Sequence, residues 1–355
     1  MLTRYQRKGA SSRVRMLQYQ PRLDLLGIDC ASDALLPDAY LDDLYAGGFR
    51  LRSTAGAYAN RVARLTRGIH ANALWLEKEA LPWLPWPLER VLLPGKIPLV
   101  VDFDDAVFHR YDLHRSPVVR GLLGRKLDRL MASATLVTAG NAYLADRART
   151  AGARRVEIVP TVVDLDTYVE RPAPSAEAAP VIGWIGTPST WKEYMRPILP
   201  LLTRTAAAAG ARISVVGAGP DAEGLPAVEA HPWTEETEVA AIGKMDIGIM
   251  PLTDTPWARG KCGYKLIQYM ACGLPVVASP VGVNREIVEH GVNGFLVSTD
   301  AEWEEAIAAL LADPELRMRM GRAGRRRVEE RYSLQVWAPK VAEILKQAAG
   351  GRAAG

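Results

Sequence analysis

Apolar residues recur along the chain with two periods, and segments of the two kinds alternate. Short runs rich in β-branched residues, such as PVVAS at 275–279, predict parallel strands that are covered on both faces. Longer stretches carry an apolar residue every three or four positions, which predicts amphipathic helices, including an arginine-rich one over 115–132. The apolar face of another predicted helix is formed by Leu266, Ile267, Met270, Ala271 and Leu274. Regular alternation of the two is typical of α/β proteins.

The alternation stops once, at residues 170–180 (ERPAPSAEAAP), where three prolines and small residues predict a linker. A strand pattern restarts at 181. This organisation predicts an N-terminal domain over 1–169 and a C-terminal domain over 181–332, followed by a terminal helix at 333–355. Each domain is expected to be a doubly wound parallel sheet, with a cleft between the two.

The segment 260–297 combines a helix, a buried strand, a loop of small residues and a second helix. A loop that leads into a helix N-terminus presents backbone N–H groups and the positive end of the helix dipole, and both favour an anion. Lys265 and Gln268 lie on the polar side of the first helix, and Lys261 joins them if the helix starts that early. The combination indicates a phosphate or pyrophosphate site. An ordinary core segment with solvated lysines is the alternative.

Two segments of the N-terminal half carry candidate chemistry. A loop of small residues flanked by cations follows the first predicted strand and indicates either an anion site or a tight turn. Its candidate residues are Gly9, Ser11, Ser12 and Arg13. The strand near 97–103 delivers Asp102, Asp104 and Asp105 to its carboxyl end, where open α/β sheets bind ligands. Carboxylates there can bind a metal, act as a base or hold a sugar hydroxyl, and aspartate is also a common helix N-cap.

The segment 77–90 contains Trp83, Trp86 and three prolines directly after a predicted strand. Such a loop either lines an acceptor pocket or packs as an ordinary surface loop.

Composition narrows the class of protein. The chain has 355 residues, of which 48% are hydrophobic, and this predicts a folded core rather than disorder. A net charge of +4 is too small to indicate a nucleic-acid partner. The three cysteines fit no zinc-site spacing and favour a reducing compartment. No apolar run reaches the ~18 residues of a membrane span, and the N-terminus lacks an apolar signal core. These features predict a soluble, cytoplasmic protein.

Two motifs resemble a known family. The runs GYKLIQYMACGLPVVA and GVNREIVEHGVNGFLV resemble the donor-site region of family 4 retaining glycosyltransferases of GT-B fold. The similarity to this family extends from about Gly9 to Trp337. The other runs that carry it are GASSRVRMLQYQPRL, VVDFDDAVF, AGNAYLAD, VPTVVDLDTY, VIGWIGTPST and DIGIMPL.

The resemblance implies an α/β protein with two Rossmann-like domains that face a central cleft. It implies a nucleotide-diphosphate sugar donor bound by the C-terminal domain, an acceptor bound by the N-terminal domain, and no essential metal or other cofactor. It also implies that the last helix crosses back to the N-terminal domain. The implied activity is transfer of a hexose, with retention, to a hydroxyl of a glycan, lipid or small-molecule acceptor. A nucleotide-sugar epimerase and a non-catalytic nucleotide-sugar-binding protein are the alternatives.

Carried over by position, the family's E-x7-E motif falls on Gly260 and Gln268, so both glutamates are absent. Its diphosphate-binding Arg and Lys fall near Thr187 and Lys192, and the Arg is absent. We expect Lys265, with Lys261, Arg259 or Lys192, to supply the missing charge. The N–H groups of Val283 and Asn284 are expected to hold the diphosphate beside it, and a histidine that faces the sugar in many relatives aligns with Asp104.

The resulting site predictions fall into three groups. The predicted catalytic residues are Asp104, Asp105 and Lys265. The predicted donor-binding residues are Gly186, Thr187, Lys192, Lys261, Gln268, Gly282, Val283, Asn284 and Glu286. The acceptor-side loop holds the four residues from Gly9 to Arg13 given above. The basic segment 316–331 is a candidate for peripheral contact with the inner face of a membrane, and a solvated helix face is the alternative.

Overall fold

The computed structural model describes residues 1–45, 48, 51–171 and 178–350. The chain forms two compact units. The first comprises Met1–Thr161, Arg259–Cys262 and the chain from Trp337 onward, and the second comprises Val162–Ala258 and Gly263–Val336. Each contains its own parallel six-stranded sheet, as the alternating pattern predicts.

The first sheet has the strand order β2-β1-β3-β4-β5-β6, and all of its pairings are parallel. Its strands are β1 (Leu2–Tyr5), β2 (Asp33–Leu36), β3 (Leu74–Glu77), β4 (Leu99–Phe103), β5 (Leu136–Ala139) and β6 (Val156–Ile158). β2 pairs with one edge of β1 and β3 pairs with the other edge, so the strand order reverses at β1. The crevice between β1 and β3 is therefore the place where such a sheet binds ligands.

Nine helices connect these strands over the described residues up to 161. They are α1 (Ala10–Arg15), α2 (Gln20–Leu25), α3 (Asp38–Tyr45), α4 (Leu51–Thr66), α5 (Trp86–Leu92), α6 (His109–Asp112), α7 (Pro117–Leu123), α8 (Lys126–Ser133) and α9 (Ala142–Thr150). The prediction of a single helix over 115–132 is wrong, because this segment forms two separate helices, α7 and α8. The break includes Gly124, where a Cβ atom would lie 2.4 Å from the carbonyl oxygen of Arg120.

The second sheet has the order β12-β11-β10-β7-β8-β9, again entirely parallel. Its strands are β7 (Val181–Ile185), β8 (Arg212–Val216), β9 (Val228–His231), β10 (Ile247–Met250), β11 (Val276–Ala278) and β12 (Gly294–Leu296). The strand order reverses at β7 and β10, which places the ligand-binding crevice of this unit at their carboxyl ends. Val276 and Val277 in β11 are fully buried, as their β-branched run predicts.

The helices of the second half are α10 (Pro188–Thr190), α11 (Arg196–Ala208), α12 (Glu238–Ile242), α13 (Pro256–Arg259), α14 (Tyr264–Ala271), α15 (Asn284–Ile287), α16 (Asp300–Ala312), α17 (Pro314–Arg331) and α18 (Leu334–Gly350). A π-helical turn at Trp191–Met195 joins α10 to α11. None of the helices in the described ranges is both long enough and apolar enough to cross a membrane.

The units differ in three places from the domain bounds 1–169, 181–332 and 333–355. Residues 333–336 group with the second unit, so the terminal segment of the first unit begins at Trp337. Residues 162–171 group with the second unit, because Val163 pairs with Ser333 and Tyr168 is buried in that unit's core. The segment Arg259–Cys262 groups with the first unit. The predicted linker at 170–180 falls largely on residues 172–177, which lie outside the described residues. The helix predicted over 333–355 corresponds to α18 up to residue 350, and its last five residues, 351–355, also lie outside the described residues.

Candidate functional site

The crevice of the second sheet is bordered by backbone where β7 and β8 end. A Cβ atom on Gly186 would lie 2.4 Å from the ring of Trp184, and one on Gly217 would lie 2.3 Å from the Gly186 carbonyl oxygen. Side chains are therefore sterically excluded from this edge. The hydroxyl of Thr187 caps α10, and the Thr187 N–H donates to Thr190 Oγ1 at 3.0 Å, which fixes the loop.

The start of α14 packs closely against the loop that follows β11. Gly263 adopts a left-handed conformation with φ of 65°. A Cβ atom there would lie 2.3 Å from Ile287 Cδ1 and 3.3 Å from Val283 Cγ1. Only glycine therefore combines this backbone angle with the close approach of the two segments.

The loop at 279–284 is shaped by a buried asparagine. Asn284 Nδ2 donates to the Ser279 carbonyl at 3.0 Å, and the Asn284 N–H donates to the Val281 carbonyl at 3.2 Å. The Asn284 N–H is therefore already used within the loop. Over the described residues, the N–H groups of Gly282 and Val283 donate to no other backbone group. These two are the donors that the loop offers to a ligand.

The predicted cations of the second unit differ in setting. Lys265 is half-buried on the first turn of α14, with its Nζ 5.7 Å from the ring centroid of Trp184. Lys192 is exposed and forms a 3.0 Å ion pair with Asp221. Glu286 is exposed on α15. Of the two lysines, Lys265 is the one that the fold holds against a buried strand of the sheet.

Gln268 belongs to a buried hydrogen-bonded cluster. Its Nε2 donates to the hydroxyl of Tyr168 at 2.7 Å, and that hydroxyl donates to Glu238 Oε1 at 2.6 Å. Trp233 Nε1 donates to the other Glu238 oxygen at 2.7 Å, and the hydroxyl of Tyr264 lies 3.2 Å from that of Tyr168. Burial, together with the neighbouring Tyr264 and Glu238, raises the pKa of Tyr168 well above its usual value, so this phenol stays protonated.

In the first unit, Asp102 is neutralised by an arginine. Arg15 binds it in a bidentate manner, with Nε···Oδ2 and Nη2···Oδ1 distances of 2.9 and 2.7 Å, and Thr138 donates to Oδ1 at 2.6 Å. Asp105 lies in the turn after β4, where its carbonyl accepts from the Val107 N–H at 2.8 Å. Asp102 is therefore a structural carboxylate. Within the described ranges, no group of three or more His, Cys, Asp or Glu side chains is arranged to hold a metal.

Because this ion pair is completely buried, we expect Arg15→Met to lower the free energy of unfolding by about 3–5 kcal/mol, since it leaves the Asp102 charge buried and unpaired. Urea denaturation followed by circular dichroism measures the loss. Adding Asp102→Asn to Arg15→Met removes the stranded charge and should recover part of it. An Arg15→Met protein of unchanged stability would contradict this account.

Asp104 lies in a compact charged cluster at the crevice of the first sheet. Lys78 Nζ lies 2.8 Å from Asp104 Oδ1 and donates to Ser11 Oγ at 2.6 Å, and Ser11 in turn donates to Asp104 Oδ2. Burial opposes ionisation of Asp104, but the charges of Lys78 and Arg15 outweigh it and lower its pKa. For Lys78, burial opposes the charge, and Asp104 and Glu77 outweigh burial and raise the pKa. Both partners are therefore ionised at neutral pH.

The other residues of the predicted acceptor-side loop serve the turn itself. Ser12 is fully buried, donates to Glu77 Oε2 at 2.5 Å and accepts from the Tyr5 N–H at 2.9 Å. A Cβ atom on Gly9 would lie 2.3 Å from Tyr5 Cβ. Arg13 is buried and donates to the Arg7 carbonyl at 3.2 Å. Of the four predicted residues, Ser11 is the one that contacts Asp104.

Residues 179–313 match the family model of group 1 glycosyl transferases. Three curated relatives align with parts of the chain. The D-inositol 3-phosphate glycosyltransferase of Segniliparus rotundus is 30% identical over 235 residues, which cover 58% of this chain and 49% of that protein. The same-named protein of Thermobispora bispora is 35% identical over 99 residues, which cover 27% of this chain and 23% of that protein. The alpha-maltose-1-phosphate synthase of Mycobacterium tuberculosis (strain H37Rv) is 37% identical over 89 residues, which cover 23% of each. The alignments thus span at most half of these relatives.

Two solved structures share the architecture over most of the chain. Sucrose-phosphate synthase from Thermosynechococcus elongatus superposes with a TM-score of 0.70 at 16% identity, covering 97% of this chain and 95% of that one. HepE from Anabaena, in complex with UDP, superposes with a TM-score of 0.61 at 17% identity, covering 92% and 88%. The chain therefore has the two-domain α/β GT-B fold, as the resemblance implied.

The short segment that groups with the first unit explains one departure from the expected glycosyltransferase motif. Asn141 Nδ2 donates to the carbonyls of Gly260 and Lys261 at 3.1 and 3.0 Å. A Cβ atom on Gly260 would lie 2.5 Å from Ala106 Cβ and 2.7 Å from the Ala106 nitrogen. There is no space for a glutamate at this position. Lys261, predicted to bind the donor beside Lys265, belongs to the first unit.

Gly260→Ala is accordingly expected to destabilise the protein by about 1–3 kcal/mol, the usual cost of overpacking. Gly56→Ala is the matched control, because Gly56 lies within α4 and nothing would lie within 4 Å of its Cβ atom. That control should stabilise the protein slightly, because alanine favours a helix. The melting temperatures of both variants, compared with that of the wild type, test this prediction. Equal shifts in the two variants would argue against the close approach at Gly260.

Sequence reasoning did not single out Lys78 or Glu238. Lys78 lies between Glu77 and Glu79 at the end of β3, and this charged triplet directly after an apolar strand was the available signal. Glu238 is visible in the sequence only as one of several acids at a helix start. Its partner Tyr168 also accepts a hydrogen bond from Gln268, which lies 100 residues away, and no local pattern reveals that contact.

Proposed function

We propose that the protein transfers a hexosyl group from a nucleotide-diphosphate sugar to an acceptor hydroxyl, with retention and without a metal. One observation carries the proposal. The region that matches group 1 glycosyl transferases, 179–313, contains all four strands β7, β8, β10 and β11 whose loops surround the crevice of the second sheet. Ligands of doubly wound sheets bind at that edge.

The chemistry of this edge supports a diphosphate. Gly186 and Gly217 keep side chains away from the backbone, Gly282 and Val283 offer N–H groups, and Lys265 supplies a cation. In the proposed reaction these groups stabilise the negative charge that develops on the leaving diphosphate. The bound UDP of the Anabaena HepE structure supports a nucleotide donor.

The first unit supplies the proposed acceptor side. Asp104 is a carboxylate at the crevice of its sheet, where Lys78 and Ser11 hold it in place. We assign it to the reacting centre, where a fixed negative charge stabilises positive charge on the anomeric carbon or orients the acceptor hydroxyl. Asp105, next in the same turn, is assigned a supporting role. The acceptor class is a glycan, a lipid or a small molecule with a free hydroxyl.

The test begins with donor binding. Thermal shifts with UDP-, GDP- and dTDP-sugars identify the nucleotide, and NMR of the anomeric signal follows transfer to an acceptor panel with and without EDTA. Retained α configuration from an α-linked donor, unaffected by EDTA, is the expected result. Isomerisation of the donor without acceptor would identify an epimerase instead. Tight binding without hydrolysis or transfer would identify a non-catalytic binding protein. An EDTA-sensitive or inverting reaction would overturn the finer parts of the proposal.

A further inference from the structure

The first unit exposes large apolar side chains on three neighbouring segments. Trp83 follows β3, Leu88 and Val91 lie on α5, and Leu113, Val118 and Leu122 lie on or beside α6 and α7; we call these six residues the apolar patch. Their exposed fractions range from 47% for Trp83 to 83% for Val91. The ring of Trp83 lies 5.9 Å from that of His114, and α5 and α7 both pack against α8, so the segments are neighbours. Clustered exposure of this kind marks an interaction surface.

Trp83 has an energetically unfavourable backbone conformation. Its φ of 63° is left-handed, which is unfavourable for a bulky residue. Among the described residues, three non-glycine residues have positive φ, and two of them, Lys78 and Trp83, lie in this one loop. The Trp83 N–H donates to the hydroxyl of Tyr111 at 3.0 Å, and the two rings make an edge contact at 5.2 Å. Strain that is maintained in this way at the surface points to a function for the indole.

The charges around the apolar patch have one sign. The sequence from 113 to 127 contains no acidic residue, and it exposes Arg115, Arg120 and Arg125. The acids at its two ends, Asp112 and Asp128, both pair with Arg147, at 3.0 and 2.7 Å.

The segment that contains α5 also exposes positive charges and no acid. Glu89 is the single acid between 80 and 101, and it is fully buried in a 2.7 Å ion pair with Lys126. Arg90 and Lys96 are exposed there. The whole surface therefore presents aliphatic side chains, one tryptophan and cations.

We infer that this surface binds an anionic lipid bilayer, with the apolar patch in the headgroup region and the arginines on lipid phosphates. Exposed Leu and Val suit the boundary of the acyl chains, tryptophan prefers the membrane interface, and surface arginines gain from the negative potential of anionic lipid. The inference concerns attachment and does not rest on the proposed glycosyl transfer.

The basic helix α17, the candidate for membrane contact in the sequence, is less suitable. Arg317 donates to the Leu310 and Leu311 carbonyls, and Arg325 pairs with Glu329 at 2.7 Å. Arg327 donates to the Glu286 carbonyl. Met318 is its one large apolar side chain that is exposed. Much of its charge therefore secures the second unit.

Vesicle flotation with the full chain tests the inference. We expect binding to vesicles of phosphatidylcholine with 30% phosphatidylglycerol, and much weaker binding to pure phosphatidylcholine. The triple variant Arg115→Gln/Arg120→Gln/Arg125→Gln should bind about 100-fold more weakly, at about 1 kcal/mol for each cation. The pair Val118→Ser/Leu122→Ser should weaken binding at least about 10-fold, because apolar insertion is lost.

The matched control removes the same charge from α17. Arg319, Arg322 and Arg326 are exposed there, and Arg319→Gln/Arg322→Gln/Arg326→Gln should retain binding within about twofold. Because all of these positions are exposed, thermal unfolding should show that each variant is folded. Absence of binding to anionic vesicles would overturn the inference, as would equal loss in the two triple variants or undiminished binding of the Ser pair. A concentration-dependent dimer that the Ser pair abolishes, without vesicle binding, would assign the surface to a second copy instead.

Discussion

Lys265→Ala is expected to lower kcat/KM for glycosyl transfer by about 100-fold or more, the usual effect of removing one group that stabilises charge in a transition state. The side chain leaves the first turn of α14, beside the glycine whose neighbours include Val283. From there it contributes a full positive charge at the proposed diphosphate. The loss should appear in kcat as well as in KM, because charge on the leaving diphosphate is greatest in the transition state.

The fold should survive this substitution. The Lys265 ammonium packs over Trp184 at 5.7 Å, and such a contact contributes about 0.5–1 kcal/mol at a partly exposed site. The melting temperature should therefore fall by only a few degrees. Lys265→Arg keeps the charge and should retain part of the activity.

Lys244→Ala is the matched control, since it removes a lysine from the same unit, in the loop before β10. It should leave transfer unchanged. Full activity of Lys265→Ala would contradict the donor assignment, and equal losses in both variants would point to a general effect of charge.

Local patterns predicted the elements of this fold well and its side-chain partners poorly. The apolar spacing of 266–274 identified α14, and the β-branched run after it identified β11, because both follow from periods of a few residues. The break between α7 and α8 was missed, because one glycine in an otherwise continuous apolar face carries little signal.

The site shows the same division. The acidic cluster at the end of β4 was found in the sequence, but its three carboxylates looked alike. In the structure Asp102 binds Arg15, 87 residues away, whereas Asp104 binds Lys78 and Ser11. Such partners depend on the order of strands in the sheet, which no local period encodes. The same holds for Gly260, whose lack of a side chain follows from its contact with Ala106.

The second large effect concerns Lys78, the positioning residue for Asp104. In the wild type the pKa of Asp104 is below its usual value, since Lys78 and Arg15 outweigh the effect of burial. An acid whose pKa is lowered by folding loses its charge, and the stability that the charge provides, only as pH falls through that low value. Transfer by the wild-type enzyme should therefore show no acidic limb from Asp104 above about pH 4.

Lys78→Met removes the principal opposing charge and leaves burial in place. Burial then raises the pKa of Asp104, and an acidic limb that the wild type lacks should appear in the pH profile of kcat/KM. Activity at pH 8 should be less affected than activity at pH 5. A purely structural role for Lys78 would instead lower activity by the same factor at every pH.

Three further variants keep the test decisive if Lys78→Met is poorly folded. Lys78→Arg preserves the cation and should keep the wild-type profile. Asp104→Asn removes the titrating group, and we expect it to lower transfer by about 100-fold without creating an acidic limb. In Lys78→Met the buried Asp104 carboxylate has lost its lysine partner. Because Asp104→Asn removes that charge, the double variant Lys78→Met/Asp104→Asn should be more stable than Lys78→Met alone. An acidic limb that persists in this double variant would assign the titration to a different group and remove Asp104 from the reacting centre.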